Sequence, residues 1–298
     1  MRIVHTAAEL HAFLNEARGV TRQSNGDAGR GRVGAGERCE VALVPTMGYL
    51  HEGHLSLVDR ALERADTVVL SVFVNPLQFG PGEDLERYPR DLARDAELAE
   101  ARGVDVLFAP SAAQLYPRGA PVTRVTIGPM ADRLCGRDRP GHFEGVLTVV
   151  AKLFNVVDPD VAVFGRKDFQ QSVLIRRMVE DLNFRVTIDV GPTVREADGL
   201  ALSSRNTYLS PTERQSATAL YRGLSLAREA YDGGERDAER LRGIVARAVE
   251  SEPRTRIRYV ELVDPDSLDP LESAVPGSVL AIAAFVGTTR LIDNIVLE

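Results

Sequence analysis

The segment Thr67–Val74, TVVLSVFV, is a continuous run rich in β-branched residues. A run of that kind with no polar alternation suits a strand covered on both faces, and such strands belong mostly to parallel sheets layered between helices. Its surroundings agree. Val41–Val44 is a short apolar run, followed by a turn and a helical pattern from about Gly53 to Arg64. A Pro/Gly-rich loop, a charged helix from about Arg90 to Arg102 and a strand at Val104–Phe108 come next. Helices at Gly145–Val156 and Asp168–Leu182 flank a strand at Val161–Phe164, with another strand at Phe184–Val190. Strands alternating with helices predict an α/β fold, a Rossmann-like doubly wound parallel sheet. Ligands of such sheets bind beyond the carboxyl ends of the strands, which is where His51, His54, Asn75, Gln78 and Lys167 fall.

Both flanks of this pattern differ from it. The chain up to about Arg18 reads as a short helix, and Thr21–Arg38, rich in Gly, Arg and Ser, reads as a mobile surface loop. After about Thr193, Ser210-Pro211 opens a helix running to Asp232 and Glu235–Ser251 makes a second. Strands are expected at Ile257–Val263, Ser278–Phe285 and Arg290–Leu297. The reading is therefore a Rossmann-like domain over 1–193 and a smaller α+β domain over 194–298.

Composition narrows the function. A net charge of −7 makes non-specific nucleic-acid binding unfavourable, so a polyanionic ligand needs a locally basic pocket. No apolar run approaches the ~18 residues of a membrane span. The first residues carry Glu9 and two histidines instead of a signal-peptide apolar stretch, so a cytoplasmic protein is expected. Cys39 and Cys135 have no metal-type spacing and read as bystanders. Lys152 and Lys167 are the only lysines; every other basic side chain is arginine. A surviving Lys in such a chain marks a place where a compact point charge is needed instead of a planar fork. Lys167, in a turn after an apolar run, fits that role; Lys152 also fits a snorkelling helix residue.

Three clusters carry chemistry. His51-Glu52-Gly53-His54 places two imidazoles one turn apart at a helix start, where first-turn N–H groups favour phosphate. The spacing is not the i, i+4 of a zinc protease helix. Leu202-Ser203-Ser204-Arg205 offers two hydroxyls and a guanidinium, equally consistent with a plain turn and with phosphate contacts. Gly165–Gln171 brings Lys167 and Asp168 beside the amides Gln170 and Gln171. Amides both donate and accept, so Gln78 and Gln171 suit a hydroxylated carboxylate ligand.

The order of these segments carries a resemblance. Residues 45–54 (PTMGYLHEGH), 73–79 (FVNPLQF), 88–90 (YPR), 139–143 (RPGHF), 165–171 (GRKDFQQ) and 198–206 (DGLALSSRN) are similar to the pantoate–β-alanine ligases, or pantothenate synthetases. The similarity runs from Val41 to the C-terminal Leu-Ile-Asp-Asn. The family belongs to the nucleotidylyltransferases that carry a HIGH-type first motif. The resemblance implies that ATP and pantoate form a pantoyl adenylate and pyrophosphate, and that β-alanine then yields pantothenate and AMP.

It also implies roles: 1–193 would bind nucleotide and pantoate, and 194–298 would act as a lid. His51, His54, Lys167 and Arg205 would be catalytic. ATP would be bound by Met47, Gly48, Tyr49, Leu50, His51, Glu52, Gly53 and His54, by Gly165, Arg166, Lys167 and Asp168, and by Val194, Leu202, Ser203, Ser204 and Arg205. Gln78 and Gln171 would bind pantoate, with β-alanine entering beside Gln78. Mg²⁺ would accompany the phosphates, with Asp95 the carboxylate nearest it, and the protein would be a homodimer. Arg166 stands where a Glu is usual, and His142 would either reach the pantoate pocket or, as the preferred reading, support it. The rival is another nucleotidylyltransferase acting on a phosphorylated alcohol.

Overall fold

The computed structural model describes residues 1–20 and 39–298; the expected loop at Thr21–Arg38 lies outside the described residues. In chain order the elements begin β1 (Arg2–Val4), α1 (Ala7–Val20), β2 (Val41–Thr46), α2 (Glu52–Leu62), β3 (Thr67–Val72), α3 (Leu92–Ala101) and β4 (Val106–Phe108). The single turns α4 (Ala112–Leu115) and α5 (Cys135–Asp138) precede α6 (His142–Val157), β5 (Val161–Gly165), α7 (Phe169–Asp181) and β6 (Thr187–Gly191). The remainder is α8 (Pro211–Ala217), α9 (Ala219–Asp232), α10 (Ala238–Glu250), β7 (Thr255–Val263), β8 (Val279–Val286) and β9 (Thr289–Val296). Two compact units result. The first comprises 1–126, 141–165 and 175–191, the second 127–140, 166–174 and 192–298.

In the first unit, six strands form one sheet in the order β1-β4-β3-β2-β5-β6, and every pairing is parallel. From β2 the chain winds outward through β3 and β4, then returns to add β5 and β6 on the other side. The reversal lies between β2 and β5, the switch point where doubly wound sheets bind ligands. Both faces are covered, as the unbroken apolar runs require. Ala42, Val44, Val68, Leu70, Leu107 and Val163 pack with Leu55, Val58 and Ala61 of α2 and Ala99 of α3. The intervening Val41, Leu43, Val69, Val106, Ala162 and Phe164 are also buried.

The second unit holds an antiparallel sheet, β7-β8-β9, with β8 in the middle. Val286 pairs with Thr289, so Gly287-Thr288 is a two-residue hairpin turn, with Gly287 at φ 58°. Leu220 and Leu224 of α9 and Leu241 and Val245 of α10 bury against Leu280, Ile282 and Ala284.

Two expectations need correction. The opening segment is not helical throughout: Arg2–Val4 pairs with β4 before α1 begins. Thr6 Oγ1 accepts the Glu9 N–H (3.2 Å), while Glu9 accepts the N–H groups of His5 (2.8 Å) and Thr6 (3.0 Å), which sets where that helix starts. The helix expected from Ser210 to Asp232 is broken at Thr218, whose hydroxyl donates to the Gln215 carbonyl (2.8 Å). Such a local bond competes with the helical ladder. No described helix is long and apolar enough to cross a membrane.

Candidate active site

At the end of β2 the backbone turns sharply. Thr46 Oγ1 donates to the Ser71 carbonyl (2.8 Å) and accepts the Gly48 N–H (3.1 Å). Gly48 and Tyr49 both sit at positive φ, 81° and 51°. A Cβ at Gly48 would lie 2.7 Å from Val72 Cγ1 and 2.9 Å from Asp95 Oδ2, so only glycine fits. The amides freed by this turn point at α3. Asp95, 1% exposed, accepts the Tyr49 N–H on Oδ2 and the Leu50 N–H on Oδ1, both at 2.7 Å. Next to it, Arg94 donates to the Leu50 carbonyl (3.0 Å), and its guanidinium lies 5.1 Å from the Tyr49 ring. Burial raises the Asp95 carboxyl above its usual range, with the two amide bonds opposing that shift.

The braced turn delivers His51 in an extended conformation as the residue before α2. Its carbonyl accepts the N–H of His54 (2.8 Å) and of Leu55 (3.1 Å). The two imidazoles stack, with centroids 4.0 Å apart and planes 23° from parallel. Two ring systems beside outward-pointing first-turn N–H groups make a donor surface suited to phosphate oxygens.

After β3, Asn75 caps a 3-10 turn over Pro76–Gln78. Gln78 Nε2 lies 3.2 Å from Met47 Sδ, which brings that amide beside the turn after β2. His142, at the start of α6, donates from Nδ1 to the Gln78 carbonyl (2.8 Å).

The second unit carries the other clusters. Lys167 lies in a half-buried 3-10 turn, Arg166–Asp168, with Nζ 3.7 Å from Asp168 Oδ2. That turn is held by β9: Asn294 Nδ2 donates to the carbonyls of both Arg166 and Lys167, each at 3.0 Å. The adjacent Asp293 takes both ends of the Arg195 guanidinium, at 2.6 and 2.8 Å. Arg195 also stacks 3.9 Å from the Tyr221 ring centroid. It opens a narrow loop closed by the Arg195–Ala201 bridge and by the Leu202 N–H donating to the Val194 carbonyl (3.0 Å). Gly199, at φ 93°, passes too close to Tyr221 for any side chain. Beyond that loop, Ser203 Oγ accepts the Arg205 N–H (3.3 Å) and begins the turn Ser204–Tyr208. One strand therefore anchors both the Lys167 turn and the approach to Ser203–Arg205.

A family model for pantoate-beta-alanine ligase matches residues 2–296. The chain belongs to that family. The pantothenate synthetase of Heliobacterium modesticaldum is 54% identical over 298 residues, covering 100% of both chains. That of Pelotomaculum thermopropionicum is 50% identical over 297 residues, covering 100% of this chain and 99% of its own. Among solved structures, the pantothenate synthetase of Thermus thermophilus superposes with a TM-score of 0.88 at 47% identity, covering 100% of both chains. The pantoate-beta-alanine ligase of Francisella tularensis, complexed with beta-gamma ATP and beta-alanine, gives 0.76 at 31% identity over 100% of this chain and 98% of its own.

Within a pantoate-beta-alanine ligase fold, several residues hold others in place. Gln170, the sequence neighbour of the expected Gln171, is buried: it accepts the Cys135 N–H (2.9 Å) and donates to the carbonyls of Met130 (3.2 Å) and Arg133 (2.7 Å). Gln171, next to it, is half-buried. Asn294 and Arg94 escaped the sequence reading, although Asn294 ends the Leu-Ile-Asp-Asn segment that carries the family likeness. Among the described residues no three His, Cys, Asp or Glu side chains are grouped to hold a metal ion.

Proposed function

We propose that the protein condenses pantoate with β-alanine, converting ATP to AMP and pyrophosphate by way of a pantoyl adenylate. The observation that carries this reading is the family match spanning residues 2–296. In the first half-reaction a pantoate carboxylate oxygen attacks the α-phosphorus of ATP and pyrophosphate leaves. Negative charge shifts onto the phosphoryl oxygens and the leaving group, so positioned cations and donors carry the catalysis.

His51 and His54, stacked at the start of α2, donate to the ATP phosphates. Lys167 neutralises the charge moving onto the leaving group, and Ser203, Ser204 and Arg205 clamp the β and γ phosphates. Met47 to Leu50, Glu52, Gly53, Gly165, Arg166, Asp168, Val194 and Leu202 complete the nucleotide-binding set, with Val194 acting through its main chain. Gln78 and Gln171 hold pantoate. In the second half-reaction the β-alanine nitrogen, entering beside Gln78, attacks the acyl carbon. The bond from that carbon to the AMP oxygen breaks and the new amide nitrogen loses a proton. An acyl adenylate hydrolyses readily, so water has to be kept from it.

Mg²⁺ belongs to this reading as a companion of the ATP phosphates, where it keeps several waters. Asp95 does not fit as its ligand, because the residue is buried and both oxygens hold backbone amides. No step is assigned to the metal. A cytoplasmic homodimer completes the proposal; sedimentation at micromolar protein would report the dimer.

The test of the ligase reading is exchange of labelled pyrophosphate into ATP. Exchange that requires pantoate and proceeds without β-alanine is expected. Exchange that instead requires a phosphorylated alcohol would assign the chain to a different nucleotidylyltransferase reaction.

A further inference from the structure

The hydrogen bonds around Asn75 settle which end of the Gln78 amide faces which way. Asn75 is 1% exposed. Its Oδ1 accepts the N–H of Leu77 (3.3 Å) and the hydroxyl of Tyr116 (2.9 Å), and its Nδ2 donates to the carbonyl of Gly145 (3.1 Å). A backbone N–H can only donate and a backbone carbonyl can only accept, so Asn75 has a single workable orientation. Turning its amide over would set donor against donor and acceptor against acceptor.

The same Nδ2 reaches Gln78 at 3.1 Å, and the atom that meets it has to be an acceptor, Oε1. Nε2 therefore occupies the other branch, the one that approaches Met47 Sδ at 3.2 Å. Polarity thus runs from two backbone groups through Asn75 into Gln78.

Two further features hold this relay. A Cβ at Gly145 would overlap the Leu77 backbone, so α6 reaches the turn only because glycine stands there. Tyr116 is buried with its ring edge-on to Phe73, centroids 5.9 Å apart. Burial pushes its phenol well above the usual tyrosine range, so the hydroxyl stays protonated and donates at every working pH. Lys152, the other lysine of the chain, lies 5.7 Å from the same ring.

We propose that Asn75 and Tyr116 are positioning residues that lock Gln78 as a hydrogen-bond donor, so that the acid substrate is selected there through an acceptor oxygen, a carboxylate or hydroxyl lone pair. The identity of the acid rests on the ligase reading; the polarity of Gln78 does not.

Asn75→Asp keeps the size of the side chain but places an acceptor against the Gly145 carbonyl and Gln78 Oε1. In steady-state kinetics the KM for pantoate should rise about 10–100-fold, as for a lost hydrogen bond to a charged group, while the KM for ATP stays within about twofold. Tyr116→Phe leaves Leu77 and Gly145 holding Asn75 and should raise the pantoate KM about 2–10-fold. The double variant should be no worse than Asn75→Asp alone, because both act through one relay.

A pantoate KM unchanged in folded Asn75→Asp, equal rises for ATP and pantoate, or additive losses would overturn the proposal. An independent readout is the side-chain amide ¹⁵N–¹H pair of Gln78, identified by its absence in Gln78→Glu. It should shift in both variants, and an unmoved signal would refute the relay. If the wild-type protein shows no pantoate-dependent exchange, the ligase reading fails by itself, and the amide signal still decides the polarity.

Discussion

Asp95 Oδ1 accepts the backbone N–H of Leu50 at 2.7 Å, across 45 residues of sequence. Its second oxygen takes the neighbouring amide of Tyr49 at the same distance, so one buried carboxylate shapes the turn that delivers His51 and His54. Sequence reasoning assigned that charge to a metal beside the phosphates. The turn has the stronger claim, because two amides exposed by consecutive positive-φ residues would otherwise be buried without acceptors.

Asp95→Asn offers one acceptor where two are needed and sets an NH₂ group against a backbone N–H. Pyrophosphate exchange should fall about 10–100-fold, the range for an unsatisfied buried donor at a preorganised site. Its Mg²⁺ dependence should match that of the wild type. A selective rise in the Mg²⁺ requirement would return Asp95 to the metal.

The same substitution has a pH signature. The folded carboxyl titrates above its unfolded value of ~3.9, so the native state binds the proton more tightly across the interval between them. The stability contributed by this group is full below the unfolded value and is lost as pH rises through the folded one. Wild-type stability relative to Asp95→Asn should therefore decline from about pH 4 upward. Denaturant midpoints at several pH values would show it, and a constant difference would contradict the buried carboxyl.

Asn294 presents a comparable case at the Lys167 turn. Asn294→Ala removes both bonds to the Arg166 and Lys167 carbonyls and should slow exchange about tenfold. The loss should be smaller than for Lys167→Ala. A variant with undiminished exchange would show that the turn holds its shape without β9.

Lys167→Ala should reduce adenylate formation about 10²–10³-fold or more, as expected when a charge acting on the transition state is removed. Stability should barely change, because the ammonium meets Asp168 only at 3.7 Å and loose pairs of that kind contribute ~0–1 kcal/mol. Near-normal single-turnover adenylation would refute its role.

His54→Ala should lower the adenylation step about 10²–10³-fold, the usual effect of one preorganised donor. Rapid-quench measurement of the two half-reactions separates the possibilities. Slowing confined to the β-alanine step would contradict phosphate binding by His54.

The sheet was legible in the sequence because its central strands are covered on both faces: Val41–Val44 and Thr67–Val74 stand out by apolar continuity alone, and β2 and β3 begin at the same residues. The edge strand Arg2–Val4 was not, since three residues with a single buried side chain leave no pattern. The side chains proposed to meet the ligand stand out by type, as His51 and Lys167 do. Those that hold them do not. Asn294 lies 128 residues from Arg166 and Tyr116 lies 41 from Asn75, and no local periodicity records such pairings. Gln170 shows the converse: beside Gln171 in sequence it has the same chemistry, and only burial under Met130 and Arg133 reveals that it is structural.

The central claim, an acyl adenylate on the path to the amide, is tested most directly with pantoate labelled with ¹⁸O in both carboxylate oxygens. Attack of that carboxylate on the α-phosphorus makes one labelled oxygen the bridge, and cleavage by β-alanine leaves it on the phosphate. AMP carrying one ¹⁸O per pantothenate formed is the predicted result. Unlabelled AMP, or ADP in its place, would contradict it.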